Sequence, residues 1–366
     1  MSRIDDLIAE YCPDGVEYKR LGDVCKIKNG KDYKHLSAGD IPVYGSGGVM
    51  DVRVDTSVYN RPTVLLPRKG SIANVFYVDG PFWNVDTIFY TVIDEEQVIP
   101  RYLYHVMMNA HIENYSTGSA ARPSLTQSAL NKIEIPVPPL PGQEEIVRIL
   151  DSFSSLEAEL EAELEARRKQ YAYYRDQLIR DCPSIRWIPL SEISENCDKS
   201  RKPIKKEKRI AGKTPYYGAS GVVDYVDGFT HEGDYLLLSE DGANLLARSM
   251  PIAYQISGRN WINNHAHVLR IENANLRQLV EMYLNSISLE PYITKGAQPK
   301  LTKQRMETIA VPVPSEDYLS RIVEMLTKFY ALTTSLTDGL PAEIEARHKQ
   351  YEYYRDRLLS FDELAA

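Results

Sequence analysis

The sequence predicts an α+β protein: two mixed α/β domains related by a pseudo-two-fold and separated by a long antiparallel helical coiled-coil pair. Three observations carry this. First, ELEARRKQYAYYRDQLI (residues 163–179) recurs as EIEARHKQYEYYRDRLL (residues 343–359), 180 residues later and identical at 12 of 17 positions. Second, both copies are rich in helix formers and hold no Gly or Pro. Third, the rest of the chain falls into two stretches of short β-branched and aromatic runs between Gly turns, the pattern of strands. A period this long exceeds any solenoid repeat and marks a chain built from two copies of one large unit.

Residues 3–11 read as a short helix leading to Cys12-Pro13, just as residues 173–181 lead to Cys182-Pro183. The chain therefore begins where its first long helix ends, a circular arrangement cut at one junction, and its termini are expected to lie close together. The globular units open at Tyr18-Lys-Arg-Leu21 and Trp187-Ile-Pro-Leu190 and then run in step. Residues 41–51 match 214–224, 64–75 match 236–247, 82–92 match 261–271, 121–127 match 297–303, and 135–140 match 311–316. Residues 101–116 and 276–294 read as helices with one apolar face. Each unit, at about 130 residues, is long enough for its own core. Proline disfavours helix at the residue before it, so 136–141 and 312–314 read as extended linkers. A long helix follows each linker. From Gln143 to Asp181 an apolar stripe of Ile146, Leu150, Phe153, Leu156, Leu160, Leu164, Tyr171, Tyr174 and Leu178 runs unbroken. At 1.5 Å per residue this makes a rod of roughly 58 Å. The second rod repeats the stripe through Ile322, Leu326, Phe329, Leu332, Leu336, Ile344, Tyr351 and Tyr354. There Asp338-Gly-Leu-Pro341 is expected to kink or break it. Neither rod can bury its stripe alone, so the two are expected to pack antiparallel. The expected divisions are 1–142 (with helix 3–11 joining the helical spacer), 143–181, 182–314 and 315–366.

The chain has no run of about 18 apolar residues to cross a bilayer. Its start, MSRIDDLIAE, is acidic and amphipathic, unlike a signal peptide, so a cytoplasmic location is expected. Cys12, Cys25, Cys182 and Cys197 offer no C-x2-C pair and read as reduced core residues. The formal net charge of −8 lies wholly in the two helical segments, each with 6 basic and 10 acidic residues. The globular segments together are neutral, so a basic groove on them is allowed.

Several enzyme signatures are nearly present and fail. Pro13-Asp14 with Glu17-Tyr-Lys19 resembles a PD…ExK nuclease centre, but two residues separate the carboxylates and the second copy has none. Gly212-Lys-Thr214 lacks the glycine of a phosphate loop, Glu207 standing in its place. His265-x-His267, with His231, has no ligand spacing of a known metal class, and its counterpart is Asp86-x-Ile88. No Gly-rich S-adenosylmethionine loop and no N-P-P-aromatic catalytic motif is present. What repeats is the rod, and what diverges is the globular surface. Pro67-Arg-Lys-Gly70 becomes Ser239-Glu-Asp-Gly242, and Asn84-Val-Asp-Thr87 becomes Asn263-Asn-His-Ala266. Equivalent loops with exchanged donors and acceptors suit two modules reading different base edges.

With these features in order and in duplicate, the chain resembles, over essentially its full length, the specificity subunit of type I restriction-modification systems (the HsdS family). The carrying residues are Pro136-Val-Pro-Pro-Leu-Pro-Gly-Gln-Glu-Glu-Ile-Val-Arg-Ile-Leu150, the two EAR-x-KQY-x-YYRD rods, and the Y-G-x-x-G, R-K-G-S and N-x-D-T loops. Glu240-Asp-Gly-Ala243 and Asn263-Asn-His-Ala-His267 look like another subtype of the same loops. The sequence departs from the pattern at its second junction, which lacks Pro-Leu-Pro-Gly-Gln-Glu, and at Gly339 and Pro341. The resemblance implies two target-recognition domains, each gripping half of a split, asymmetric site on double-stranded DNA, with the helical pair as spacer. It implies docking of two methyltransferase subunits and, through them, restriction subunits in a prokaryotic cytoplasm. The acidic outer faces of the rods are the expected dock. S-adenosylmethionine, ATP and magnesium would belong to those partners, leaving this chain without cofactor, metal or catalytic residues.

Loop position and chemistry nominate the DNA contacts. In the first domain these are Lys31, Tyr33, Tyr44, Ser46, Arg68, Lys69, Ser71, Asn84, Asp86 and Arg122. In the second they are Lys213, Tyr217, Ser220, Glu240, Asp241, Asn244, Asn263, His265 and Lys300. Residues 199–213 hold eight basic residues: Lys199, Arg201, Lys202, Lys205, Lys206, Lys208, Arg209 and Lys213. That segment reads as a phosphate clamp, centred on Lys205 and Lys206. Two rival classes are a coiled-coil adaptor binding only proteins, and a stand-alone nuclease using Asp14, Glu17 and Lys19.

Overall fold

The computed structural model describes residues 6, 9–117, 123–182, 185–294, 298–335, 337 and 339–364. Of the expected helix 3–11, Asp6 and residues 9–11 are helical and the rest lies outside the described residues. So do Arg122, Leu336 and Asp338. Two compact units are present, residues 1–162 with 342–366, and residues 163–341. The longer helices are α1 (Pro100–Asn109), α2 (Leu140–Arg180), α3 (Ala274–Leu284), α4 (Glu316–Thr334) and α5 (Leu340–Leu358).

The first unit contains β1 (Glu17–Arg20), β2 (Cys25–Asn29), β3 (Ala38–Gly45), β4 (Gly48–Val54), β5 (Thr63–Pro67), β6 (Phe76–Val78), β7 (Trp83–Asn84), β8 (Ile88–Ile93) and β9 (Glu134–Val137). They form sheets in the orders β2-β8-β5-β6, β4-β3-β7 and β1-β9. The second unit contains β10 (Arg186–Pro189), β11 (Glu195–Asn196), β12 (Ala211–Gly218), β13 (Gly221–Val226), β14 (His231–Glu232), β15 (Tyr235–Ser239), β16 (Ala253–Ile256), β17 (Arg259–Ile262), β18 (Ala266–Arg270) and β19 (Ala310–Val313). Its sheets, β11-β18-β15-β16, β13-β12-β17-β14 and β10-β19, repeat the first unit's topology with one added edge strand, β14. The buried runs explain the central strands: β5 and β15 are apolar at nearly every position and covered on both faces.

Each unit closes with a helix pair. In the first, Leu150 and Ile146 of α2 and Leu358 of α5 enter the core beside Val64, Leu66 and Tyr102. Phe153 of α2 meets Tyr354 of α5 at 5.2 Å between ring centroids, and Glu157 accepts from His348 at 2.8 Å. Advancing along α2 means receding along α5, so the pair is antiparallel. In the second unit Tyr171 and Tyr174 of α2 meet Tyr330 and Phe329 of α4 at 6.0 and 5.8 Å, again antiparallel. Tyr174 with Phe329 reproduces Tyr354 with Phe153, so the duplicated tyrosine does the same packing twice. The expected break in the second rod is real: α4 ends at Thr334 and α5 starts at Leu340. Gly339 lies so close to the end of α4 that a Cβ would stand 2.8 Å from the carbonyl oxygens of Ala331 and Ser335.

The proline-rich segments correct one expectation. Pro136-Val137 and Pro312-Val313 end strands, because β9 pairs antiparallel with β1 (Pro136 opposite Tyr18) and β19 with β10 (Pro312 opposite Trp187), Leu140-Pro141 already belong to α2, and only 138–139 and 314 lie outside these elements. A two-stranded ribbon has only edges, where a residue without an N–H is tolerated. The two junctions also differ physically. The buried Gln143 donates to the carbonyls of Gln97 and Pro138 and accepts from Ile99 N, fixing the start of α2. At the matching place in α4 stands Leu319, which is packed into an apolar cluster with Leu279, Ile322 and Val323. Hydrogen bonding is thus replaced by burial. In the first unit residues 16–18 meet residues 361–364: Val16 N donates to Asp362 O, Leu364 N to Val16 O, and Tyr18 Oη to Phe361 O. Among the described residues no helix is long and apolar enough to cross a membrane.

Candidate nucleic-acid interface

In the first unit three loops converge on Thr87. The two-residue hairpin Ser46-Gly47 joins β3 to β4 and needs a positive φ at Gly48, +108°. Its Ser46 N donates to Thr87 Oγ1 at 3.2 Å, and Asn74 Nδ2 donates to Ser46 O at 3.1 Å. The loop after β5 is held by Arg68 N and Lys69 N, which both donate to Thr87 O. The loop between β7 and β8 is tied to the hairpin by Val85 N donating to Tyr44 O. Ser46, Arg68, Lys69, Ser71, Asn84 and Asp86 are therefore brought together by backbone hydrogen bonds. Lys69 and Asp86 stand exposed 3.9 Å apart. Arg68 reaches the Asp86 carbonyl at 3.4 Å, and Ser71 is exposed at the rim. Asn84 is fully buried: its Nδ2 donates to Ile88 O, and its Oδ1 has no partner among the described residues. Lys31 presents an exposed side chain, while its N–H and carbonyl bond to Asn84 O and Trp83 Nε1. Tyr44 packs its ring on Phe76 and Phe82, and Tyr33 packs against the cluster of Val43, Val54 and Trp83.

The second unit builds the same convergence from different side chains. Its hairpin tip, Ala219-Ser220 between β12 and β13, is pinned by Ser239 Oγ donating to Ala219 O. Tyr254 donates to Gly218 O at 2.8 Å and accepts from Gly221 N at 3.1 Å. Asn263 N donates to Tyr217 O, Glu240 N to His265 O, and Leu301 N to Glu240 O. These bonds gather Tyr217, Ser220, Glu240, Asp241, Asn263, His265 and Lys300. Tyr217 stacks on Tyr254 at 5.8 Å. His265 faces Asp241 at 2.9 Å and is half exposed. Two nominated residues stand apart. Asn244 spends its side chain bonding Ser249, Met250 N and Met250 O in its own turn. Lys213 lies exposed on β12, five residues before Gly218 at the strand's end.

Beneath these loops is a buried ion-pair network that the sequence did not reveal. Arg201 bonds Glu240 at 2.5 Å, Asp198 at 3.3 Å and the Ala266 carbonyl at 2.7 Å. Lys300 reaches the other Glu240 oxygen at 3.0 Å. His267 bonds Asp198 at 2.7 Å and Leu301 O at 2.8 Å. Asp198, Glu240 and His267 come within 4.8 Å of one another, with Arg201 and Lys300 already neutralising the carboxylates. Arg201 is thus not part of the clamp, because its guanidinium turns inward to charges that need it. Arg209 is likewise engaged, with Asp224 at 3.0 Å and across the Tyr216 ring. Lys202, Lys205, Lys206, Lys208 and Lys213 remain exposed. Trp83 Nε1 bonds Lys31 O as Trp261 Nε1 bonds Lys202 O, which sets Arg201 opposite Gly30.

Burial alone would raise the Glu240 carboxyl, but the hydrogen bonds from Arg201 and Lys300 outweigh it and hold it below the usual range. Burial also opposes ionisation of Asp198, and His267 and the Val268 N–H overcome it. Both folded pKa values are depressed, so their stabilisation is complete above the ordinary carboxylate values of ~4 and is lost as pH falls through the lower folded values. Thermal melting is therefore expected to fall between about pH 5 and pH 3, and less steeply in Glu240→Gln.

The family profile described as "Type I restriction modification DNA specificity domain" matches residues 13–166 and again 187–346, most of the chain in two copies. The chain belongs to the type I restriction-modification DNA specificity family. Among relatives in this family, the EcoR124I/EcoR124II specificity subunit of Escherichia coli is 32% identical over 296 residues, covering 74% of this chain and 73% of its own. A putative type I restriction enzyme specificity subunit of Haemophilus influenzae is 37% identical over 184 residues, and the chain spans about half of it (47%). The crystal structure of a type I restriction-modification S subunit from M. genitalium shares the fold at a TM-score of 0.62 and 18% identity, covering 94% of this chain and 96% of that one. The doubled specificity domain coincides with the doubled three-loop cluster.

Proposed function

We propose that this chain is the sequence-reading, non-catalytic subunit of a type I restriction-modification complex. It reads a bipartite, asymmetric site on double-stranded DNA, one half per unit. The observation that carries this is the loop cluster built twice on one backbone plan with exchanged side chains: Arg68, Lys69 and Asp86 in one unit, Asp241, His265 and Lys300 in the other. Donors and acceptors held by backbone hydrogen bonds read base edges, and exchanging them changes the base. The antiparallel helices serve as the spacer that fixes the gap between half-sites. They also offer the dock for two methyltransferase subunits, through which restriction subunits join. Their repeated YYRD motif leaves Tyr173 and Tyr353 64% and 55% exposed, large aromatic surfaces suited to a protein partner. S-adenosylmethionine, ATP and magnesium work in those partners, in the prokaryotic cytoplasm. The first test is a gel shift: the chain co-purified with its methyltransferase retards a duplex bearing the methylated motif. Absence of DNA affinity in that complex would leave the coiled-coil adaptor.

The exposed lysines supply affinity without sequence. Lys205→Ala with Lys206→Ala is expected to weaken binding to specific and random duplexes alike. The slope of log K against log salt should become shallower by about 2, near one per lost phosphate contact. An unchanged slope would remove these lysines from the interface.

A further inference from the structure

We infer that Val223 and Asn263 form a thymine-reading notch in the second unit, resting on the DNA-reading role proposed above. Val223 follows the pinned hairpin tip on β13 and is 57% exposed, although it is aliphatic and next to polar loops. Nothing within the described residues covers it. Asn263 is the opposite case, a polar side chain only 7% exposed. Its Oδ1 accepts from His265 N at 2.8 Å, which fixes the amide. Nδ2 itself has no hydrogen-bond partner among the described residues. Gly218 lies between the two. A Cβ built there would stand 3.1 Å from Val223 Cγ1 and 3.6 Å from Asn263 Nδ2. The glycine therefore lets a methyl pair and an unused N–H donor stand side by side with no side chain between them, and the notch is the edge they form together.

That pairing matches one base edge. In the major groove thymine presents the O4 acceptor next to its C5-methyl, whereas cytosine offers a donor and no methyl, and the purines offer N7 with no methyl. An N–H donor beside an aliphatic side chain complements thymine and leaves a cytosine amine facing a donor. The notch is also rigid. Tyr254 bonds both Gly218 O and Gly221 N, and Ser239 holds Ala219 O, so the hairpin keeps its position without DNA. The first unit lacks this arrangement. There Val85 holds the place of Asn263, its N–H bonding Tyr44 O as Asn263 N bonds Tyr217 O, and its side chain carries no donor, so the two units do not share the preference.

The test uses the full chain in complex with its methyltransferase and duplexes carrying the methylated motif. Each thymine of the second half-site is replaced in turn by uracil, which keeps O4 and removes only the methyl. One position should lose about fourfold in affinity, the worth of one buried methyl. Val223→Ala should bind thymine and uracil duplexes equally at that position. Asn263→Asp keeps the acceptor for His265 N but loses the donor, and should abolish preference for thymine over cytosine there. Specific binding of the unmodified duplex by the parent chain separates failure of the notch from failure of the DNA-reading role. A flat uracil scan, a second half-site without thymine, or an undiminished uracil penalty in Val223→Ala would overturn the notch.

Discussion

Arg201→Ala is expected to destabilise the second unit by about 3 kcal/mol or more, visible as a Tm lowered by roughly 10 °C. Removing the guanidinium leaves the 8% exposed Glu240 carboxylate without its principal counter-charge, Asp198 without its second partner beside His267, and the Ala266 carbonyl without its donor. A pair buried together costs little net, but breaking one leaves an uncompensated charge, and that is the expensive outcome. Glu240 N and O hold His265 O and Leu301 N, so the reading loops move with it. Arg201→Lys should recover only part of the loss, because an ammonium cannot span two carboxylates and a carbonyl as a fork does. The double variant Arg201→Ala with Glu240→Gln should be more stable than Arg201→Ala alone. Lys202→Ala, next door and exposed, should change stability by less than about 0.5 kcal/mol. A melting curve for Arg201→Ala matching that of Lys202→Ala would show that the network is not what holds these loops.

Gly30→Ala is expected to disable the first half of the site while sparing the second. A Cβ on Gly30 would stand 2.0 Å from Val85 O and 2.6 Å from Asn84 O, a clash with backbone that no side-chain rotation relieves. Lys31 N bonded to Asn84 O and Trp83 Nε1 bonded to Lys31 O prevent the strands from drifting apart cheaply. The strain therefore falls on residues 84–87, the loop that positions Asp86 and accepts Arg68 N and Lys69 N. A cost of about 3 kcal/mol is in line with overpacking. Binding to duplexes altered in one half-site at a time provides the check. The variant should become indifferent to changes in the first half and keep full sensitivity in the second. Gly47→Ala meets open space and should behave as the parent chain. If Gly30→Ala retains first-half discrimination, the 84–87 loop is not a reader.

Much of this was legible in the sequence because duplication exposes architecture. Gly turns between apolar runs marked the hairpins, and matching them across 180 residues paired the loops before any coordinates. The rods declared themselves through their stripe, and Gly339 with Pro341 declared the break. Side-chain direction was not legible. Arg201 sits in a run of lysines and reads as one more solvated cation, since nothing in the sequence reveals that Glu240, 39 positions further on, buries a carboxylate beneath it. Asn84 and Asn263 read as matching residues, whereas strand pairing sets Asn84 against Ile262 and Asn263 against Val85, a one-residue shift of register that side-chain identity in the sequence hides. Asn244 read as a base contact because Asn suits adenine, whereas a local turn consumes its bonding capacity. The proline runs read as linkers because Pro ends helices. Pairing with a strand some 120 residues away is a tertiary fact.

The central claim is that two units of one chain read two halves of one site at a fixed distance. The most direct test is the methylome of cells in which this chain supplies the specificity for a co-expressed type I methyltransferase subunit. The account predicts a split, asymmetric motif with two short defined halves and a constant gap between them, the first half changing in Gly30→Ala. A continuous motif, a variable gap, or methylation independent of this chain would contradict it.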